Sequence, residues 1–159
     1  MTADTRPARA PALAASELPA AAFSVRQPIR FEHCDTAGIV FFARYFTMMQ
    51  GAVEEWFAAA LGLDYADIIQ RRRVGLGYVR AECDYLKPGR LGDVLALAVL
   101  VERVGRSSIA LAIHGHRGDE AALVGRLVLV TTDLDQAAAI PIPADIRDAV
   151  ESYQRRCAT

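Results

Sequence analysis

The chain has 159 residues, 53% of them hydrophobic and 23% charged, with a formal net charge of −1. That length supports one domain with a real core, and the composition is that of a globular chain, not a disordered one. The near-neutral balance gives no electrostatic footing for nucleic acid, and no apolar stretch has the length of a membrane span.

Residues 1–22 read as a flexible Ala/Pro-rich extension with room for a short helical piece, ahead of a single domain over 23–159. Arg6 and Arg9 precede alanine-rich sequence, but Glu17 and Pro19 interrupt any signal-peptide core. Val25 to Phe31 reads as a first strand, with Pro28 marking a bulge or an edge. From Arg44 to Leu61 a helical period runs through Phe46, Met49, Val53, Trp56, Phe57 and Ala60, and Gly62 fits the left-handed residue after the helix. A short second helix is expected at Tyr65 to Arg72, ending in the basic run Arg71-Arg72-Arg73. After Gly75 the period becomes two: Val79, Ala81, Cys83 and Tyr85 alternate with Tyr78, Arg80, Glu82 and Asp84. Lys87-Pro88-Gly89-Arg90 fits a turn. Asp93 to Glu102 suits a central strand, Ser108 to His116 alternates again, and Leu123 to Thr132 closes the series. Pro141 and Pro143 introduce a C-terminal helix from Ala144 to about Arg155. Strands joined by short connections are usually antiparallel. The expected fold is therefore α+β, an antiparallel sheet curling around one long apolar helix.

The stretch Phe31 to Tyr45 carries the most specific chemistry. Asp35 stands between a strand and the long helix, where a carboxylate can act as a general base or a nucleophile on an acyl group. It can equally cap the helix start by accepting backbone N–H bonds. Free N–H groups at such a start can stabilise an oxyanion, and Gly38 lets backbone approach a ligand. Cys34 with His33 is a weaker nucleophile candidate, because neighbours along an extended chain point apart. His114 and His116 share one strand face; solvated histidines near a strand end are the expectation, ahead of a metal site. Arg106-Ser107-Ser108 forms a turn that can hold phosphate or simply face water. No phosphate-binding glycine loop is present. Cys34, Cys83 and Cys157 lack disulfide or zinc-ligand spacing, so reduced thiols in a cytoplasm are expected.

The string His33-Cys-Asp-Thr-Ala-Gly-Ile-Val-Phe-Phe-Ala-Arg-Tyr45 resembles the signature of the 4-hydroxybenzoyl-CoA thioesterase family, approximately Asp-x-Asp-x-x-Gly-[Ile/Val]-Val-[Tyr/Phe]-x-x-x-Tyr. The likeness continues through Gly75 to Tyr85 and Gly92-Asp93, over about residues 25–135. It implies a hotdog fold, a long central helix wrapped by about five curved antiparallel strands, in dimers or dimers of dimers with sites between subunits. It implies acyl-CoA hydrolysis without a metal or redox cofactor. Asp35 matches the family's essential carboxylate. Phe42 matches the position whose backbone N–H polarises the thioester carbonyl, and Arg106 and Ser107 align near the CoA phosphates. His33, Thr36 and Arg44 depart from common family choices. Phe41, Phe42, Tyr45 and Phe46 suggest an aromatic acyl group, or serve only as core and interface filling. A non-catalytic acyl-CoA-binding protein and a hydroxyacyl-thioester dehydratase are the alternatives on this fold.

Overall fold

A computed structural model describes residues 11–158. In chain order the elements are β1 (Phe23–Pro28), α1 (Arg44–Ala59), α2 (Tyr65–Gln70), β2 (Val74–Tyr85), β3 (Val94–Val104), β4 (Ser108–Arg117), β5 (Glu120–Asp133), a two-residue β6 (Ala138–Ala139) and α3 (Ala144–Cys157). The long strands form one antiparallel sheet in the order β1-β3-β4-β5-β2, with β6 pairing onto β5. Alternate residues of these strands, Leu97, Leu111, Ile113 and Leu129 among them, close over Met49, Val53, Trp56 and Phe57 of α1. The architecture is the α+β helix-in-curved-sheet arrangement that the resemblance implies. Helix α3 completes the core: the Tyr153 hydroxyl donates to the Val99 carbonyl (2.6 Å) and accepts the Phe23 N–H (2.8 Å). The Trp56 ring meets Tyr153 edge-on, 5.4 Å between centroids.

Most expected elements lie within a few residues of their anticipated bounds, and two differences matter. Lys87 to Arg90 does not join paired neighbours, because β2 and β3 stand far apart in the sheet order. The segment is a crossover that lies over one end of the fold. Leu86 and Lys87 N–H groups donate to the Ala122 carbonyl, Val40 N–H donates to the Gly89 carbonyl (2.9 Å), and Gly89 N–H donates to the Tyr45 hydroxyl (3.0 Å). A Cβ on Gly89 would stand 2.6 Å from Ile29 Cδ1 and 3.0 Å from the Tyr45 oxygen, so only glycine lets the crossover lie this close. Asp93 finishes the clamp by accepting from Arg90 N–H (3.0 Å) and Arg117 (3.1 Å). The Arg90 N–H first, then the Arg117 guanidinium, holds its carboxyl below the usual carboxylate range.

The second difference concerns His114 and His116, which are 4% and 1% exposed and so are not solvated. They occupy the sheet face turned away from Leu111 and Ile113, with rings stacked 6.4 Å apart. His116 Nε2 meets the Leu13 carbonyl at 2.8 Å. Residues 13–16 also bind the β4–β5 turn: Ala15 N–H donates to the Asp119 carbonyl, and Ser16 N–H to its carboxylate (2.7 Å). The described part of the expected extension thus carries a short helical turn, Ala15–Glu17, seated on the domain; residues 1–10 lie outside the described residues.

At the opposite end of the sheet the three consecutive arginines separate. Arg71 pairs with Asp67 of its own helix, Arg72 with Asp145 of α3 (2.8 Å), and Arg73 with Asp135 beyond β5 (3.1 Å).

Two outcomes are expected. Gly89→Ala forces a shift of Ile29 or Tyr45 and costs about 1–3 kcal/mol, and Tyr45→Phe strands a buried N–H at a similar cost; chemical denaturation that finds both variants as stable as the parent would remove the crossover's role. Burial first, then neighbouring His116 and Arg126, holds the His114 imidazole below its usual 6.5. The unfolded chain then binds the extra proton, so this contribution is complete above about pH 6.5 and is lost as pH falls below it. The melting temperature should fall between about pH 7.5 and about pH 5.5, and His114→Gln should flatten that slope.

Candidate active site

Residues 34–41 fold into a tight hairpin. Cys34 and Val40 bridge antiparallel, Asp35 N–H donates to the Ile39 carbonyl (2.9 Å), and Phe41 N–H donates to the His33 carbonyl (2.9 Å). The tip closes because Asp35 accepts twice: its carboxylate takes the Ala37 N–H (2.8 Å) and its carbonyl takes the Gly38 N–H (3.1 Å). Asp35 therefore caps its own turn and not the long helix. α1 starts at Arg44, and its N-cap, Ala43, has no side chain to offer. Only one carboxylate oxygen is given a protein donor in this turn, and Asp35 is exposed.

Gly38 has φ +75°, and no atom lies within 4 Å of where its Cβ would stand. Glycine is thus needed for the left-handed turn and not for a close approach within the chain. The hairpin is docked on the crossover: Leu91 N–H donates to the Gly38 carbonyl (3.0 Å), and Ile39 bridges to Arg90. Asp35 and Gly38 line a hollow of about 340 Å³ together with Phe31, Thr36 and Leu91. Phe31 is 82% exposed, so this carboxylate stands beside an uncovered apolar rim.

Phe42 follows the hairpin in the turn before α1. Among the described residues no protein acceptor takes its backbone N–H, while its carbonyl accepts from the Tyr85 hydroxyl (3.1 Å). It lines a second, adjoining cleft of about 280 Å³ with Ile39, Tyr45, Tyr85 and Pro88. Tyr45 is 5% exposed and spends its hydroxyl on Gly89, so it forms the floor that holds the crossover. Arg106 and Ser107 are not brought to this end. They form the β3–β4 turn, where the Arg106 carbonyl accepts from Ile142 N–H and the Ser107 carbonyl from Thr131 N–H (2.9 Å each). The β3 strand, 11 residues long, separates them from the hairpin by on the order of 30 Å.

The thiols stand aside. Cys34 Sγ is directed at the Arg30 carbonyl (3.5 Å), and His33 Nδ1 accepts the Arg30 N–H (2.8 Å), so the two adjacent side chains do not form a thiol–imidazole pair. Burial, and Asp84 beside it, pushes the Cys83 thiol up to about 12. All three cysteines are unpaired. Among the described residues no group of three or more His, Cys, Asp or Glu is gathered for a metal, and no helix is long and apolar enough to cross a membrane.

The sequence reading missed one further cavity, between α1 and β2, lined by Phe46, Gln50, Tyr65 and Tyr78. Its signal was present in part: Gln50 is a lone amide one turn beyond Phe46 on an otherwise apolar stripe. Tyr78 was hidden, because a bulge in β2 between Tyr78 and Arg80 reverses the phase of the strand. Val79, expected on the apolar face, is 69% exposed.

The sequence profile of the thioesterase-like superfamily matches residues 29–150. The chain belongs to the thioesterase-like superfamily. Among its relatives, the 1,4-dihydroxy-2-naphthoyl-CoA hydrolase of Synechococcus elongatus is 28% identical over 130 residues, covering 79% of this chain and 93% of that protein. A hydrolase of the same name from Nostoc punctiforme is 29% identical over 83 residues, and the match spans 52% of this chain and about half, 55%, of the Nostoc protein. The crystal structure of a 1,4-dihydroxy-2-naphthoyl-CoA thioesterase from Synechocystis superposes with a TM-score of 0.75 at 20% identity, covering 81% of this chain and 95% of that one, a likeness of fold.

Replacing Gly38 by alanine clashes with nothing but must hold an L-residue in the left-handed region, which costs about 1–2 kcal/mol. Urea unfolding should show a lower midpoint with an unchanged slope. A midpoint at the parent value would mean that the hairpin relaxes to a different turn.

Proposed function

We propose that the protein hydrolyses an aromatic acyl-CoA thioester to the free acid and CoA, with Asp35 as general base or nucleophile and the Phe42 N–H as donor to the thioester oxygen. One observation carries this reading. A carboxylate with an oxygen to spare is fixed by a closed hairpin at the same end of the fold as an unclaimed N–H at the start of α1. The carboxylate either takes a proton from water as the water oxygen attacks the thioester carbon, or attacks that carbon itself to give a mixed anhydride that water then opens. In both routes the C–S bond breaks and the CoA thiolate leaves. The amide dipole offsets the charge that gathers on the carbonyl oxygen, worth on the order of 10²- to 10³-fold in rate. Both routes draw only on water and protein groups.

The acyl choice is supported by the exposed rings beside the hairpin and by the aryl-CoA names of the relatives. We further propose a homodimer or dimer of dimers in the cytoplasm, with Arg106 and Ser107 of one chain serving the CoA phosphates at another chain's hairpin. Support comes from β2, which ends the sheet with an unpaired edge and carries exposed Val79 and Tyr85. The distance from Asp35 to the β3–β4 turn within one chain points the same way.

Asp35→Asn keeps an acceptor for Ala37 N–H and should fold normally, yet thiol release from a panel of CoA esters should drop by about 10²-fold or more. Full activity in this variant would overturn the mechanism. An absence of hydrolysis by the parent protein would point instead to an acyl-CoA-binding role, and enoyl product without free CoA to a dehydratase.

A further inference from the structure

Phe42 stands in a turn that is tied on both sides. The Phe41 carbonyl accepts the Arg44 N–H (2.8 Å), which fixes the peptide plane carrying the Phe42 N–H and leaves that N–H outside the turn's closing bond. The next peptide is held differently. In an uninterrupted helix the Phe42 carbonyl would take the N–H four residues on, that of Phe46. Here the Phe46 N–H goes to the Ala43 carbonyl (3.2 Å), and the Phe42 carbonyl accepts the Tyr85 hydroxyl (3.1 Å). One side-chain bond from β2 therefore keeps Phe42 outside the ladder of α1. Without it that carbonyl is free to rotate toward the Phe46 N–H, and the peptide planes at Phe42 turn with it.

Tyr85 is itself well anchored. It is the last residue of β2, opposite Leu123 of β5, and the Leu86 and Lys87 N–H groups that follow it both donate to the Ala122 carbonyl. Its ring lies against Tyr45, 5.4 Å between centroids, and Tyr45 is pinned to the crossover through Gly89. Burial first, then the nearby Cys83 thiol, raises the Tyr85 phenol, so the proton it donates stays in place at any ordinary pH. The anchor is on the sheet and the free amide is on the loop, so the hydroxyl joins a rigid part to one that must hold still. Resting on the thioesterase reading above, we propose that Tyr85 is a positioning residue: its hydroxyl holds the Phe42 turn in the form that aims the Phe42 N–H at the thioester oxygen. An oxyanion donor is most effective when its direction is set before the charge develops. Tyr85 is 46% exposed, so water competes for its bond, and removing the hydroxyl loosens the donor without deleting it.

The test compares the parent, Tyr85→Phe, and a protein with 4-aminophenylalanine at position 85. Phenylalanine keeps the ring on Tyr45 and removes only the donated bond, while the amine returns a donor to the same place. Thiol release is measured with benzoyl-CoA, phenylacetyl-CoA and hexanoyl-CoA. Tyr85→Phe should lose about tenfold in kcat with KM changed by less than about twofold, the pattern of an interaction that strengthens in the transition state. The amine should restore most of that loss. Parental kcat in Tyr85→Phe overturns the inference, and so does a loss that the amine leaves in place, because such a loss belongs to packing. A second readout needs no turnover. With nitrogen-15-labelled phenylalanine the chain gives six amide signals, and that of Phe42 is the one Phe42→Leu removes. In Tyr85→Phe the Phe42 signal should shift more than those of Phe23 and Phe57, and the amine should bring it back. A Phe42 signal that stays in place overturns the inference whatever the activity. If the parent hydrolyses none of the esters, the thioesterase reading falls on its own, and the Phe42 signal still decides whether Tyr85 sets that amide.

Discussion

The contact between Gly89 and Tyr45 governs how the functional end of this molecule is assembled. The chain must pass from one edge of the sheet at β2 to an interior strand at β3, and the shortest route runs over the start of α1. A side chain at position 89 would hold that route away from the helix. Glycine brings the backbone down onto Tyr45, Val40 and Ile29 together. The hairpin that carries Asp35 then has a floor to rest on, and the Gly38 and Ile39 backbone groups bond to the crossover. Loop residues outside regular elements gain fixed positions in this way, and catalytic groups need such positions more than they need a helix or a strand.

The role of Asp35 changes accordingly. A carboxylate at a helix N-terminus would share its oxygens among several amides. In the hairpin it gives one oxygen to Ala37 and keeps the other toward solvent and the apolar rim of Phe31 and Leu91. The free amide lies in a different place, the turn at Phe42. The hairpin carboxylate and the unclaimed Phe42 N–H therefore sit on successive pieces of the same loop. Neither Arg106 nor Ser107 can reach them from within one chain, so any grip on the nucleotide part of CoA from that turn has to be intermolecular.

Much of this was legible in the sequence because the periods were long. The helical stripe from Phe46 to Phe57 and the alternation in β4 each identify both an element and its buried face. Asp35, Gly38 and Phe42 were singled out by the order of residues in a short motif, and the structure places all three on one hairpin and the turn that follows it. What escaped detection depends on long-range placement. The pairing of β2 with β5 instead of β3 leaves no local trace at Lys87 to Arg90. Polar residues on a strand normally face water, whereas His116 meets the segment before β1, whose Leu13 carbonyl lies 2.8 Å from its ring nitrogen. The bulge after Tyr78 stands beside Gly77, a signal that the alternation of Val79, Ala81 and Cys83 outweighed, and one extra residue exchanges which side chains enter the cavity.

The fanned arginines at the far end have an electrostatic consequence. Three adjacent positive charges would ordinarily create a patch that attracts polyanions. Here each is matched by an aspartate from a different element, so the field cancels within a few ångströms and that surface is electrically quiet. Exposed pairs of this kind contribute little to stability. Their consequence is local: each guanidinium is spent on tying one element to a nearby carboxylate, and a run of three like charges in the sequence does not become a run of three on the surface.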